Sequence, residues 1–113
     1  MIEKTILDYL NEHLTVPAYM EEPVEKPPSY VLIERTGSIE TDMIETTTLA
    51  LQSYGASLYD AAALNMVVKA QIKQAVELPS VSAVQINSDY NFTDTETKRY
   101  RYQCVAVVTH YER

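Results

Sequence analysis

The stretch GASLYDAAALNMVVKAQIKQAVELP, residues 55–79, decides the architecture, because it is the one long helical pattern in a chain otherwise rich in strand formers. Gly55 and Ala56 interrupt the strand pattern before it, Ser57 takes the N-cap position, and Asp60 three residues later can answer it in a capping box. Between Leu58 and Leu78 there is neither glycine nor proline, and Pro79 ends the run. Ala61, Leu64, Val68, Ile72 and Ala75 mark one apolar stripe, and Asn65, Lys69 and Lys73 mark the wet side. At 1.5 Å per residue the helix is roughly 30 Å long, enough to cover one face of a small sheet. Ala61, Ala62 and Ala63 allow it to approach that sheet closely.

On both sides of this helix the pattern is that of strands. After it, Val81–Thr93 alternates, with Val84, Ile86, Tyr90 and Phe92 on one side and Gln85, Asn87, Asp89 and Asn91 on the other. A polar connection over 93–98 leads to Arg99–Tyr111, where Tyr100, Tyr102, Cys104, Ala106 and Val108 face one way and Arg101, Gln103, Val105, Val107 and Thr109 the other. Both faces turn apolar beyond Cys104, which predicts a central strand buried on two sides. Before the helix, Ser29–Ile39 and Met43–Tyr54 read as an antiparallel hairpin around a turn at 40–42, with Gly37 as a bulge or turn residue. Upstream, Ile2, Ile6, Leu7, Leu10 and Leu14 predict a short amphipathic helix opposite Glu3, Asp8, Asn11 and Glu12. A short strand over 16–20 follows, and Pro23, Pro27 and Pro28 force a loop over 21–28. The order α-β-β-β-α-β-β describes one α+β domain over 1–113: a mainly antiparallel sheet with one long helix packed on it and a short N-terminal helix.

Composition narrows the function. The chain is 46% hydrophobic and 22% charged, which argues for a packed domain and against wholesale disorder. No apolar run is long enough to cross a bilayer and no signal-peptide pattern opens the chain, so a membrane partner is not expected. One cysteine excludes an internal disulfide framework, and two glycines exclude a P-loop or a G-x-G-x-x-G fingerprint. His13 and His110 lie on different elements without metal-ligand spacing, and Cys104 sits in an apolar strand with no base beside it. The carboxylate pairs Glu21 with Glu22 and Asp94 with Glu96 lie in loops, where nothing desolvates them for acid–base work. Asn91–Phe92–Thr93 matches a glycosylation sequon by chance. No catalytic residue, metal or cofactor is expected.

Charge and aromatic usage point instead to association. Residues 1–45 hold ten acidic residues against three basic ones, which is the whole net charge of −7. Near the other end Lys98, Arg99 and Arg101 form a basic knot. Nine tyrosines accompany one phenylalanine and no tryptophan, and tyrosine is enriched where a surface is dry on one side and wet on the other. Tyr90, Tyr100 and Tyr102 flank the last hairpin: either they cap the edges of a small core, or the hairpin is an arm that reaches a neighbouring subunit.

The leading helix, Val16–Pro17–Ala18–Tyr19 before the proline loop, Pro28 through Gly37 (PSYVLIERTG), Ser57 through Ala62 (SLYDAA), and Lys98 through Gln103 (KRYRYQ) entering a final apolar strand form a recognisable order. Together these patterns resemble the tail terminator (tail completion) proteins of long-tailed bacteriophages and prophages. The resemblance implies a non-enzymatic subunit of the virion, made in the bacterial cytoplasm, that forms a hexameric ring. Such a ring caps the tail tube and joins it to the head-side connector, with DNA passing through without specific binding. Self, the tube protein and the connector are then the partners. On this view Glu21, Glu22 and Glu25 of one subunit face Lys98, Arg99, Tyr100, Arg101 and Tyr90 of the next, and the loops over 21–28 and 93–98 order on contact. The alternatives are another neck or head–tail adaptor subunit, or a cytoplasmic small-molecule-binding regulatory module, for which Arg35, His110 and Tyr102 are the available polar groups.

Overall fold

A computed structural model describes residues 1–111. It is an α+β fold of two helices and a five-stranded, mostly antiparallel sheet. The elements are α1 (Ile2–His13), β1 (Ala18–Tyr19), β2 (Tyr30–Thr41), β3 (Ile44–Gly55), α2 (Leu58–Gln74), a 3-10 turn (Ala75–Glu77), β4 (Val81–Asn91) and β5 (Tyr100–Tyr111). The strands lie in the order β1-β2-β3-β5-β4, with β1 parallel to β2 and every other pair antiparallel.

Local chemistry accounts for the boundaries. Ser57 Oγ accepts the Asp60 backbone N–H at 3.1 Å, the expected N-cap. The helix stops at Gln74 and tightens into the 3-10 turn, four residues short of the expected Leu78. Leu78 precedes Pro79, whose ring disfavours α conformation there, and it takes φ −68, ψ 137. Gly55 lets the first turn of α2 come down on β3: a Cβ there would stand 2.5 Å from the Ala61 amide nitrogen. Asn11, expected in solvent, instead clamps β1 to α1, its Oδ1 accepting from Ala18 N at 2.9 Å and its Nδ2 donating to Ala18 O at 3.2 Å.

Both helices pack on the same face of the sheet. Ile2, Ile6, Tyr9 and Leu10 of α1 and Val68, Ile72 and Ala75 at the end of α2 cluster with Val31, Ile33, Leu49, Leu51, Cys104, Ala106 and Val108. Each fully buried aliphatic side chain here stabilises the fold by about 1.5–3 kcal/mol. The stripe of α2 that faces the sheet is Ala61, Asn65, Val68 and Ile72, continued by Ala75 of the 3-10 turn. Asn65 was assigned to the wet side by its polarity, but its spacing of four from Ala61 and three from Val68 puts it on the inner face. It is 3% exposed, and its Oδ1 is buried without a hydrogen-bond partner among the described residues.

Two expectations about strand faces need correction. The register shifts between Ile86 and Ser88, so Val84 and Ile86 face the helices beside Val108 and Ala106, whereas Tyr90 pairs with Gln103 on the opposite face. The bulge at Asn87 inverts the alternation read from sequence. Strand β5 is central, between β3 and β4, but only one of its faces is covered. Cys104, Ala106 and Val108 are sealed beneath the helices, and Val105, Val107 and Thr109 are half-buried on a face that no helix covers.

Candidate assembly surface

The uncovered face follows from register. Leu32 pairs with Gln52, Ala50 with Val105, Thr48 with Val107 and Thr46 with Thr109, so these side chains project together away from the helices. Leu32, Thr46, Thr48, Val105, Val107 and Thr109 are half-buried, and Ile39, Ile44 and Tyr111 at the far end are exposed. A solvated antiparallel face ordinarily alternates to polar residues. Here Leu32, Val105 and Val107 lie among threonines and the polar Glu34, Gln52, Gln85 and Gln103.

At the β5 entry, the same face is closed by an arginine–tyrosine cluster. Tyr30 and Tyr54, paired across β2 and β3, stack with ring centroids 4.6 Å apart and are almost fully buried. Arg99 lies over the Tyr54 ring at 4.7 Å and bonds to both oxygens of Glu22, at 2.9 and 3.0 Å, and to the Tyr30 hydroxyl. Arg101 covers Phe92 at 4.3 Å and donates to the Tyr54 hydroxyl at 2.9 Å and to the Phe92 carbonyl at 2.6 Å. Gln52 donates to Gln103 at 2.9 Å, and Gln103 donates to the Tyr90 hydroxyl. Burial works to raise the Glu22 carboxyl, but the Arg99 guanidinium, helped by Tyr30 and Lys26, outweighs it and holds the group below the usual carboxylate range. Burial pushes the Tyr30 hydroxyl up to about 12, with Arg99 opposing and Glu22 reinforcing the shift.

The structure distributes the sequence-derived interface residues unevenly. Glu22 and Arg99, expected on facing subunits, bond to each other within one chain because the 21–28 loop folds over the β5 entry. Arg101 is likewise engaged by Tyr54 and Phe92, so the last hairpin is tied to its own sheet rather than extended as a free arm. Tyr90 is 41% exposed and packs edge-on against Phe92, and Tyr100 is half-buried. Glu21, Glu25 and Lys98 are exposed and make no ion pair among the described residues. Sequence reasoning missed Tyr30, Tyr54 and Phe92; the signal was that Tyr30 and Tyr54 stand nearly equidistant from the hairpin turn.

The polar groups weighed for a small-molecule site do not converge. Arg35 and His110 meet at the far end of the sheet, where Arg35 bonds to Glu45 at 3.1 Å and to Glu3 at 3.4 Å, whereas Tyr102 lies beside Ser53. Ser38 donates to the Glu45 carboxylate at 2.7 Å. Thr47 therefore donates to Ser38 at 2.9 Å, which leaves its oxygen to accept from Nε2–H of His110 at 2.8 Å. Burial lowers the His110 imidazole below its ordinary value, Glu45 opposing and Arg35 reinforcing. Burial, reinforced by Asp89, pushes the Cys104 thiol up to about 11, which leaves it un-ionised at neutral pH. Among the described residues no three His, Cys, Asp or Glu side chains gather as metal ligands. Among the same residues no helix is long and apolar enough to cross a membrane. Compared with protein-family models and with curated proteins, the chain matches none.

Proposed function

We propose that this chain is a non-enzymatic structural subunit of a phage tail, which forms a ring that caps the tail tube, joins it to the head-side connector and lets DNA pass through. The observation that carries this reading is the open sheet face. Its apolar side chains, Leu32, Val105 and Val107 flanked by Ile39, Ile44 and Tyr111, support this reading because they offer a surface for another protein to cover. The resemblance of the PSYVLIERTG, SLYDAA and KRYRYQ segments to tail terminators supplies the identity of that setting. The acidic balance supports passage of DNA, since a negative surface repels phosphates and does not retain them.

The experiment is capping. Purified tail tubes mixed with the chain and imaged by negative stain should carry a closed ring at one end. The variant Val107→Asp should keep its fold and lose the rings. Bare tube ends with a folded chain present, or binding of a metabolite by a chain that stays monomeric, would contradict the assignment.

A further inference from the structure

The molecule measures 44 Å along its longest axis, close to the length of the twelve-residue hairpin β2–β3, and its two ends are chemically opposite. At the Tyr30 and Tyr54 end lies a cleft of about 220 Å³, lined by Lys26, Lys98 and Arg99 together with Tyr30, Tyr54 and Tyr100. Among the described residues no carboxylate lines it. Glu22 takes Arg99 at 2.9 Å and Lys26 at 3.6 Å, so two of the three cations share one carboxylate, and Lys98 has no ion-pair partner among the described residues. At the other end the β2–β3 turn carries Glu40 and Asp42, which make no ion pair among the described residues. Ile39 and Met43 are each more than 70% exposed there.

A second observation ties these two ends together. The three non-glycine residues with left-handed backbone among the described residues are Asp42 (φ 52), Met43 (φ 69) and Lys98 (φ 54). A two-residue turn of this type normally takes Asn–Gly, and holding methionine in it costs on the order of 1 kcal/mol. Two of the strained positions present the acidic, apolar turn and the third presents the lysine of the cleft. Strain of this kind persists where the exposed geometry is used.

We propose that the basic, tyrosine-lined cleft is the socket for the acidic β2–β3 turn of a second copy of the chain. The occupant has carboxylates for Lys98 and Lys26 and an exposed methionine side chain to set against the half-buried Tyr100 at the cleft. Socket and turn lie on different surfaces, so the contact is heterologous and joins copies head to tail, in a manner that closes into a ring when successive rotations sum to a full turn. This inference rests on the reading of the chain as a self-assembling subunit.

Two variants test it. Lys26→Glu with Lys98→Glu reverses the socket, and Glu40→Lys with Asp42→Lys reverses the turn; all four positions are exposed, and thermal unfolding checks that both variants fold. Association is followed by sedimentation velocity at about 0.02 M salt, where the screening length is longest. Each variant alone should associate at least about tenfold more weakly than the natural chain, and the two mixed one to one should recover to within about threefold, because each then offers the charge that the other lacks. Reversed variants that associate like the natural chain, or a mixture that does not recover, would overturn the contact and leave assembly itself intact. A natural chain that remains monomeric at every concentration, with tail tube protein as well as without it, would overturn both.

Discussion

Replacing Arg99 by alanine removes the group that ties the proline loop to the sheet, and the structure sets the size of the effect. The Arg99–Glu22 pair is 36% and 37% exposed, so despite two short bonds its contribution is discounted to about 0.5 kcal/mol. The guanidinium over the buried Tyr54 ring at 4.7 Å adds about 1 kcal/mol, being partly shielded from water. The packed stem of the side chain adds about 0.5 kcal/mol. Tyr30 still donates to Glu22 at 3.2 Å, so no hydroxyl is stranded. The expected loss is about 2 kcal/mol, read as a fall in melting temperature of about 8 °C. Arg99→Lys keeps the charge but not the flat stack, and should recover less than half of it. Urea unfolding gives the free energy, and a glutamate-specific protease cutting after Glu21 or Glu25 reports release of the loop. A change under about 0.5 kcal/mol, with unaltered cleavage, would refute the tether.

Two further outcomes follow from buried polar groups. Asn65→Leu removes an acceptor buried without a partner on the helix stripe and should stabilise the chain by about 1 kcal/mol in urea unfolding; a loss of that size would mean that the amide is satisfied in solution. His110 has its folded pKa lowered, so as the pH falls through about 6.5 the unfolded chain takes up a proton first and unfolding free energy declines toward the folded value. Glu45, Arg35 and Glu3 face this imidazole, and His110→Asn should flatten the slope between pH 7.5 and 5.5, measured by urea unfolding; an unchanged slope would assign it to other groups.

How far the chain could be read depended on whether a feature was local. Helix α2 was legible because Gly55 and Ser57 act within one turn of where they stand and Pro79 bars the helix from continuing, and the β2–β3 hairpin because the runs Tyr30–Ile33 and Thr46–Thr48 carry their own strand preference. The bulge at Asn87 has no marker such as glycine, and one unpaired residue was enough to move Tyr90 to the other face. Glu22 and Arg99 lie 77 residues apart, and their meeting depends on how the 21–28 loop crosses two strands. Charge bookkeeping along the chain saw an acidic segment and a basic knot but not that their nearest members neutralise each other. The open face was misread for a related reason: Val105 and Val107 announced burial on both sides, and within a single copy only one side is covered.

The most direct test is the particle mass of the natural chain by sedimentation velocity across a wide concentration range, alone and with tail tube protein. The account predicts a closed species of six times 12.8 kDa, formed by the chain itself or on the tube, with Val107→Asp held at a single chain. A 12.8 kDa particle under every condition, unmoved by tube protein, would contradict it.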